Sequence, residues 1–515
     1  MSANCQPTDL HAADLPPFVR ADLNEPPLVR VSWVWTIAPA YAGVFIWIPL
    51  LDRLGTCLPG QTSLGWLAAA AVLAAVACCF LLYDIPALWG WTAGRRLGVV
   101  GASTFGTTGS EWITGMGVGL AALGYYAVSV TMAIKLIMFG LLSCGLIDVR
   151  VFKPWSLGSL VLESPVFLLT ALFWIYITTV VCRLRMAGVI FALMQVYTPV
   201  PLLLLGATAL LASAGLPTFA AARESLAQLD PGLRSQVEPC PAHLFQLMFG
   251  GFALSGLMGV EWGMAVSERR DVRIGGWIGI ILAGSYCAVM ALLTVAGALG
   301  QSTRGGFQAV GDVPAFPLSF HWAVFVGIGG IKGGAILNLF GLATLPAGCY
   351  SAWTFSRRLS MHWPAIGLVP WARIGGVLAF VLIATSWAGR IEEFFNLMGA
   401  IFAPAIGALV ADALRQKGQW HGVRRGWNPA GLLAWGLGVA VGLLPVLGAL
   451  IDWSAARRFQ PAALYAFLTS AGLYLALAPL GLERPLALLP EPVAGGTPKP
   501  VPVSPDLEPA RGAAG

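Results

Sequence analysis

Apolar runs of span length, separated by short polar patches, recur from Val31 to Leu480. A bilayer core asks for about 20 consecutive apolar residues per helix, and twelve such runs are read along the chain. They cover about 31–51, 63–91, 112–141, 165–182 and 187–215, a sixth carrying Glu261, then 275–299, 333–353, 371–388, 394–414, 430–451 and 462–482. Between the seventh and eighth lies a Gly-rich segment, 300–331, whose apolar stretch is too close to Lys332 for a full span and reads as a re-entrant or surface helix.

Two runs carry signs of interruption. The first has Pro39 followed by Ala40, Ala42 and Gly43; proline lacks the N–H that an interior helix position donates, which predicts a break near 39–43. The sixth has Gly250, Gly251, Ser255, Gly256 and Gly259 just ahead of Glu261, and glycine weakens a helix. Interrupted spans at positions one and six head two five-helix halves, the pattern of an inverted-repeat carrier with its site at mid-membrane. The predicted architecture is therefore an all-α polytopic membrane protein with a five-plus-five inverted-repeat core, discontinuous helices 1 and 6, and two further helices. Residues 1–30 form an N-terminal tail, 31–215 the first repeat, 216–242 an external loop and 243–414 the second repeat. Helices 11 and 12 with their preceding loop take 415–482, and 483–515 is a Pro-rich tail expected to be disordered.

Composition agrees: 57% of residues are hydrophobic and only 10% charged, with a mean hydropathy of +0.77. The net charge of +6 is no nucleic-acid signal, because the basic residues sit in small groups between spans. Arg95 and Arg96, Arg183 and Arg185, Arg269, Arg270 and Arg273, Arg357 and Arg358, then Arg415, Lys417, Arg424 and Arg425 occupy alternate connections. The positive-inside rule puts those in the cytoplasm and with them both termini, so a multi-pass cell-membrane protein is expected. The polar start lacks the basic-then-apolar pattern of a secretory signal. Nine cysteines show no paired spacing, and five histidines are scattered without a metal-binding spacing such as His-Glu-x-x-His, which argues against an enzyme.

Four stretches resemble the nucleobase/cation symporter family of cytosine, purine, allantoin and hydantoin permeases, over about residues 30 to 415. They are STFGTTGSEWITGMGVGLAALGYYAV at 103–128, FALSGLMGVEWGMAVSERRDV around Glu261, LATLPAGCYSAW in helix 8, and Pro404, Gly407, Ala411 and Asp412 in helix 10. The resemblance implies alternating access between a bundle of helices 1, 2, 6 and 7 and a scaffold of helices 3, 4, 8 and 9. Where the family commonly has Gln and Trp in helix 3, this chain has Ala122 and Tyr125; where it has amides in helix 8, this chain reads Thr344 to Cys349 without one. A site that reads a pyrimidine edge depends on such amides, so cytosine and uracil are disfavoured.

The expected function is a secondary active transporter for a small planar nitrogen-rich solute, such as a nucleobase or related heterocycle, coupled to protons or sodium. The alternatives are an amino-acid permease of the same fold and a non-transporting receptor derived from it. Glu261 is the leading candidate, since an acid within a span is a functional hypothesis by default; it would bind substrate N–H groups or carry a coupling proton, unless it is a structural partner or lies at the end marked by Glu268 and Arg269. Trp262, Tyr125, Tyr126, Trp47 and Cys349 complete the substrate set, although adjacent Tyr125 and Tyr126 point about 100° apart and only one is expected to face a pocket. For a cation, the resemblance implies carbonyls of helix 1 around Ala40 and Gly43 with the Ala343–Thr344 step of helix 8; Ala343 offers no hydroxyl where a hard cation wants oxygen. Lys135 stands deep in helix 3. No cofactor is expected beyond the coupling ion, the partners are the solute and the lipid bilayer, and the oligomeric state is left open.

Overall fold

A computed structural model describes residues 15–25, 29–59, 62–157, 160–184, 196–229, 240–305, 309–310, 313–314, 318–451 and 453–487, with isolated positions between 185 and 195. Its helices follow the apolar runs. α1 is Ile37–Phe45 plus Ile48–Cys57, bent by 44°; α2 is Leu64–Ala93, α3 Leu97–Ser143, α4 Pro165–Arg183, α5 Pro199–Leu226, α6 Cys240–Met264 and α7 Arg269–Ser302. α8 is Gly330–His362, α9 the shorter Leu368–Ala384, α10 Ile391–Arg415, α11 Pro429–Gly448 and α12 Ala462–Leu480.

α1, α2, α6 and α7 pack on one another, and α3, α4, α8 and α9 form a second group. α5 leans on α7, while α10 runs beside α6 and joins α11 and α12. The Gly-rich segment contains a short helix from Phe320, and its His321 is anchored to Asp52 of α1 at 2.7 Å. The chain stays helical through Leu229, into the stretch expected as an external loop; 230–239 and 488–515 lie outside the described residues. Of the N-terminal tail, Pro17–Asn24 is a helix.

The bend in α1 falls at Ile46 and Trp47, later than predicted. Pro39 is the third residue of Ile37–Phe45, within the first turn where a missing N–H leaves no hydrogen bond unmade. Trp47, with φ −59° and ψ 108°, is the extended residue, and Pro49 opens the next helical piece.

α6 departs from expectation altogether, because it is one unbroken helix. Its glycines serve contact. A Cβ on Gly256 would lie 2.8 Å from Leu82, and one on Gly263 would lie 2.1 Å from the carbonyl oxygen of Ala87. Across the same crossing a Cβ on Gly90 of α2 would lie 2.0 Å from the Val260 carbonyl oxygen. Small residues let membrane helices approach backbone to backbone, and here they bring α6 against α2.

At the end bearing the arginine groups, two of the resembling stretches turn out to be one structure. Asp412 of α10 accepts hydrogen bonds from Ser103 at 2.8 Å and Thr104 at 3.0 Å, and from Arg424 at 3.0 Å. Gly106 kinks α3 with φ 80°, and a Cβ there would meet the Gly426 carbonyl oxygen at 2.1 Å. Nearby, the loop before α1 is tied to the loop after α6, Val31 accepting from Ser267 at 3.0 Å and donating to Ala265 at 2.9 Å.

Gly90→Val is expected to abolish recovery of monodisperse protein in detergent, whereas Gly436→Val, at a position with open space around it, leaves it unchanged. Size-exclusion profiles of the two variants check this, and equal recovery would sink the close-crossing account.

Candidate functional site

A cavity of about 90 Å³ lies between α1, α3, α6 and α8, with Met194 from the segment ahead of α5. Each helix contributes one stripe. α3 supplies Val118, Ala122, Tyr125 and Ser129; α6 supplies Leu254, Ser255, Met258 and Trp262; α8 supplies Ala347, Tyr350, Ser351 and Thr354. These are steps of three and four residues, the spacing of one helical face. The bend in α1 adds Gly43, Val44 and Trp47.

Aromatic rings close the end away from the arginines. Trp47 donates its indole N–H to Ser129 at 3.2 Å and faces Tyr125 with centroids 4.7 Å apart. Tyr125 donates to the Gly251 carbonyl at 2.6 Å and meets Phe394 edge-on, while Phe395 lies edge-on to Trp47. Towards the other end Trp262 stands edge-on to Tyr41 at 4.3 Å. Serine and threonine hydroxyls fill the positions between the rings, and among the described residues no lining side chain carries a formal charge.

Glu261 is not among the lining residues. It is 8% exposed and pairs with Arg358 of α8, itself 2% exposed; Nη2 of Arg358 also lies 3.9 Å from the Met258 sulfur. Successive residues on a helix diverge by about 100°, so with Trp262 turned to the cavity, Glu261 points sideways to α8. The pair stitches the two helix groups together directly beyond Trp262. A second pair of contacts lies beyond it, where Glu25 meets both Arg96 and Arg357.

The other candidates divide. Trp47, Tyr125, Trp262 and Gly43 line the cavity, as above. Tyr126 faces away and hydrogen-bonds Thr178 of α4, and Cys349 is packed at 2% exposure outside the lining. Of the proposed cation set, Thr344 donates to Gly341 of its own helix at 2.7 Å, and Gly43 looks towards Thr198, whose hydroxyl would be 3.9 Å from a Cβ there. Ala40 and Ala343 are half-buried and lie outside the cavity. Lys135 is not among the lining residues, and its ammonium lies near Gly389. Among the described residues, no group of three His, Cys, Asp or Glu side chains is placed to hold a metal ion.

Sequence reasoning missed Tyr350, Ser129, Ser255, Ser351 and Thr354. Their signal was present as hydroxyls and rings repeating along one helical face of α3, α6 and α8. Arg358 was seen only as a marker of topology, since its acid partner lies 97 residues away in the chain.

No protein-family model matches the chain. No curated protein matches it. Among solved structures, the inward-facing conformation of Mhp1 is similar with a TM-score of 0.55 and 13% identity, over 89% of this chain and 93% of that one. The closed conformation of Mhp1, a nucleobase-cation-symport-1 family transporter with bromovinylhydantoin bound, gives 0.55 and 14%, over 88% and 94%. A manganese transporter of Eremococcus coleocola, in complex with an aromatic bis-isothiourea substituted compound, gives 0.46 and 14%, over 88% and 98%. The chain thus shares the fold of Mhp1.

Removing one partner of the buried pair leaves the other charged and unpaired, so Glu261→Gln and Arg358→Met are each expected to cost about 3–5 kcal/mol of stability. The double variant should cost less than the sum of the two. Thermal unfolding of the four proteins in one detergent tests this; strictly additive losses would show that the pair is not a unit.

Proposed function

We propose that the protein is a secondary active transporter for a small, planar, uncharged nitrogen heterocycle of the nucleobase or hydantoin type. The observation that carries this reading is the cavity itself, whose aromatic faces and hydroxyls sit beside the α1 bend without any formal charge among the described residues. Rings offer faces to a planar solute and hydroxyls offer both donors and acceptors to its edge. An amino acid would need partners for its carboxylate and ammonium, and the lining provides none beyond backbone at the α1 bend. The resemblance to the nucleobase/cation symporter family and the likeness in fold to a hydantoin-bound member support the same solute class.

Alternating access follows from the two ends of the cavity. On the arginine-bearing side, cytoplasmic by the positive-inside rule, Glu261 and Arg358 join α6 to α8. On the other side Trp47, Tyr125 and Phe395 close over the cavity, with the Asp52–His321 contact holding the short surface helix above α1. Opening either end separates the bundle from the scaffold around a fixed solute position. Glu261 in this scheme is a gate residue, and the driving ion is a proton or sodium ion whose gradient biases which end opens.

Purified protein in liposomes should accumulate a labelled nucleobase or hydantoin when a proton or sodium gradient is imposed, and only equilibrate without one. Trp47→Ala and Trp262→Ala should each weaken apparent affinity by roughly tenfold through lost ring contact. Stabilisation by amino acids alone would remove the heterocycle reading, and binding with no accumulation would make the protein a receptor.

A further inference from the structure

The N-terminal helix Pro17–Asn24 lies across the arginine-bearing end of the cavity, packed on the start of α3 and the end of α8. Phe18 is fully buried, with the Arg358 guanidinium 5.7 Å from its ring centroid. Leu15, Phe18 and Val19 share one apolar cluster with Val99, Met361, Val423 and Ala487. Glu25, just past the helix, bridges Arg96, the residue ahead of α3, and Arg357 of α8. The helix therefore braces the gate pair from outside.

Within that brace Asp22 is 4% exposed, and neither of its carboxyl oxygens has a hydrogen-bond partner among the described residues. Its side chain is pressed onto Gly98, where a Cβ would come within 2.2 Å of Oδ2. A carboxylate buried without hydrogen bonds is costly, and such a group takes up a proton instead. The charged groups facing it are Arg357 and Arg358 of α8, Glu261 of α6 and Glu25 of its own segment. Ahead of α3, Arg96 is held by Glu25, and on α3 Glu111 is near His362; beyond the helix, His421 is bonded to Gln416 and Arg424 to Asp412 and Glu483.

We propose that Asp22 is a proton-binding site that latches the cytoplasmic gate: the N-terminal helix docks on α3 and α8 with Asp22 as the neutral acid, and ionisation of Asp22 releases it. Burial pushes the Asp22 carboxyl from 3.8 up to about 7, outweighing the Arg358 charge. The sign follows directly. Below 3.8 docked and free helix are both protonated and docking is at full strength; as pH rises towards about 7 the docked form alone holds the proton, and docking weakens about tenfold per pH unit. Above about 7 it stays weak. A proton delivered from the cytoplasm thus favours the closed inner gate. The latch is a property of docking and stands whether or not the solute reading is right.

Hydrogen exchange on the full chain in nanodiscs tests this between pH 5 and 8.5, with Asp22→Asn at each pH as the reference that cancels the intrinsic pH dependence of exchange. Protection of residues 17–24 in the unaltered protein should fall relative to Asp22→Asn by about tenfold per unit up to pH 7 and then level off, and the last turn of α8 should follow the same curve. If Asp22→Asn does not fold, Gly98→Ala supplies the second variant, since its methyl displaces the carboxyl and should remove protection of 17–24 at every pH. Parallel curves for Asp22→Asn and the unaltered chain overturn the proton site, retained protection in Gly98→Ala overturns the docking, and an α8 end that ignores pH overturns the link to the gate.

Discussion

An ionised side chain in a low-dielectric interior must find an opposite charge or remain a liability. Glu261 and Arg358 meet that constraint with each other, and the placement of much else follows. Because the acid belongs to α6 and the base to α8, the pair can form only when the two helix groups touch at their arginine-bearing ends. That contact sets the limit of the cavity beyond Trp262. Phe18 and Glu25 then cover the cluster from the N-terminal side, so residues before the first span belong to the same closure.

The spans could be read because hydrocarbon imposes one length and one polarity on each, which is nearly a one-dimensional constraint. What proline and glycine do inside a span is not one-dimensional. Pro39 sits in a first turn and breaks nothing, while the extended residue is Trp47, followed two residues later by a proline that starts a helix. In the sequence the glycines of α6 read as weak points, yet the opposing carbonyl of Ala87 and the side chain of Leu82 make them contact points. Nothing in the α6 sequence alone separates the two roles, since the deciding atoms belong to α2. The stretches at 103–110 and 404–412 were legible as a resemblance, and the reason for them is the Asp412 network that joins α3 to α10.

The site was half legible for a related reason. Trp47, Tyr125 and Trp262 stood out as rings within spans, and they do meet the cavity. Glu261 stood out more and does not, because the rarity that makes an intramembrane acid conspicuous is satisfied equally well by a structural partner. Arg358 was assigned to a basic connection by its neighbour Arg357, although the last turns of α8 carry it inward to 2% exposure. Tyr126 against Tyr125 went the way helical geometry dictates: one ring to the cavity, the other to Thr178.

In the proposed alternating-access scheme the two closures differ in kind. The aromatic end parts gradually, since ring contacts and single hydrogen bonds are each worth about 1 kcal/mol and can be given up one at a time. The ionic end cannot, because a carboxylate and a guanidinium drawn apart in a dry interior give up their hydrogen bond and work against a strong attraction before water arrives to solvate either charge. It is stable closed and dry, or open and wet, and poorly stable between. Such an end behaves as a two-state element, which a small added bias can tip, and the uncharged solute proposed for the cavity would not compete for either charge. On the proposed reading Trp47 and Tyr125 would serve both recognition and closure at the aromatic end, whereas at the ionic end the two tasks fall to neighbours, Trp262 turned to the cavity and Glu261 to Arg358.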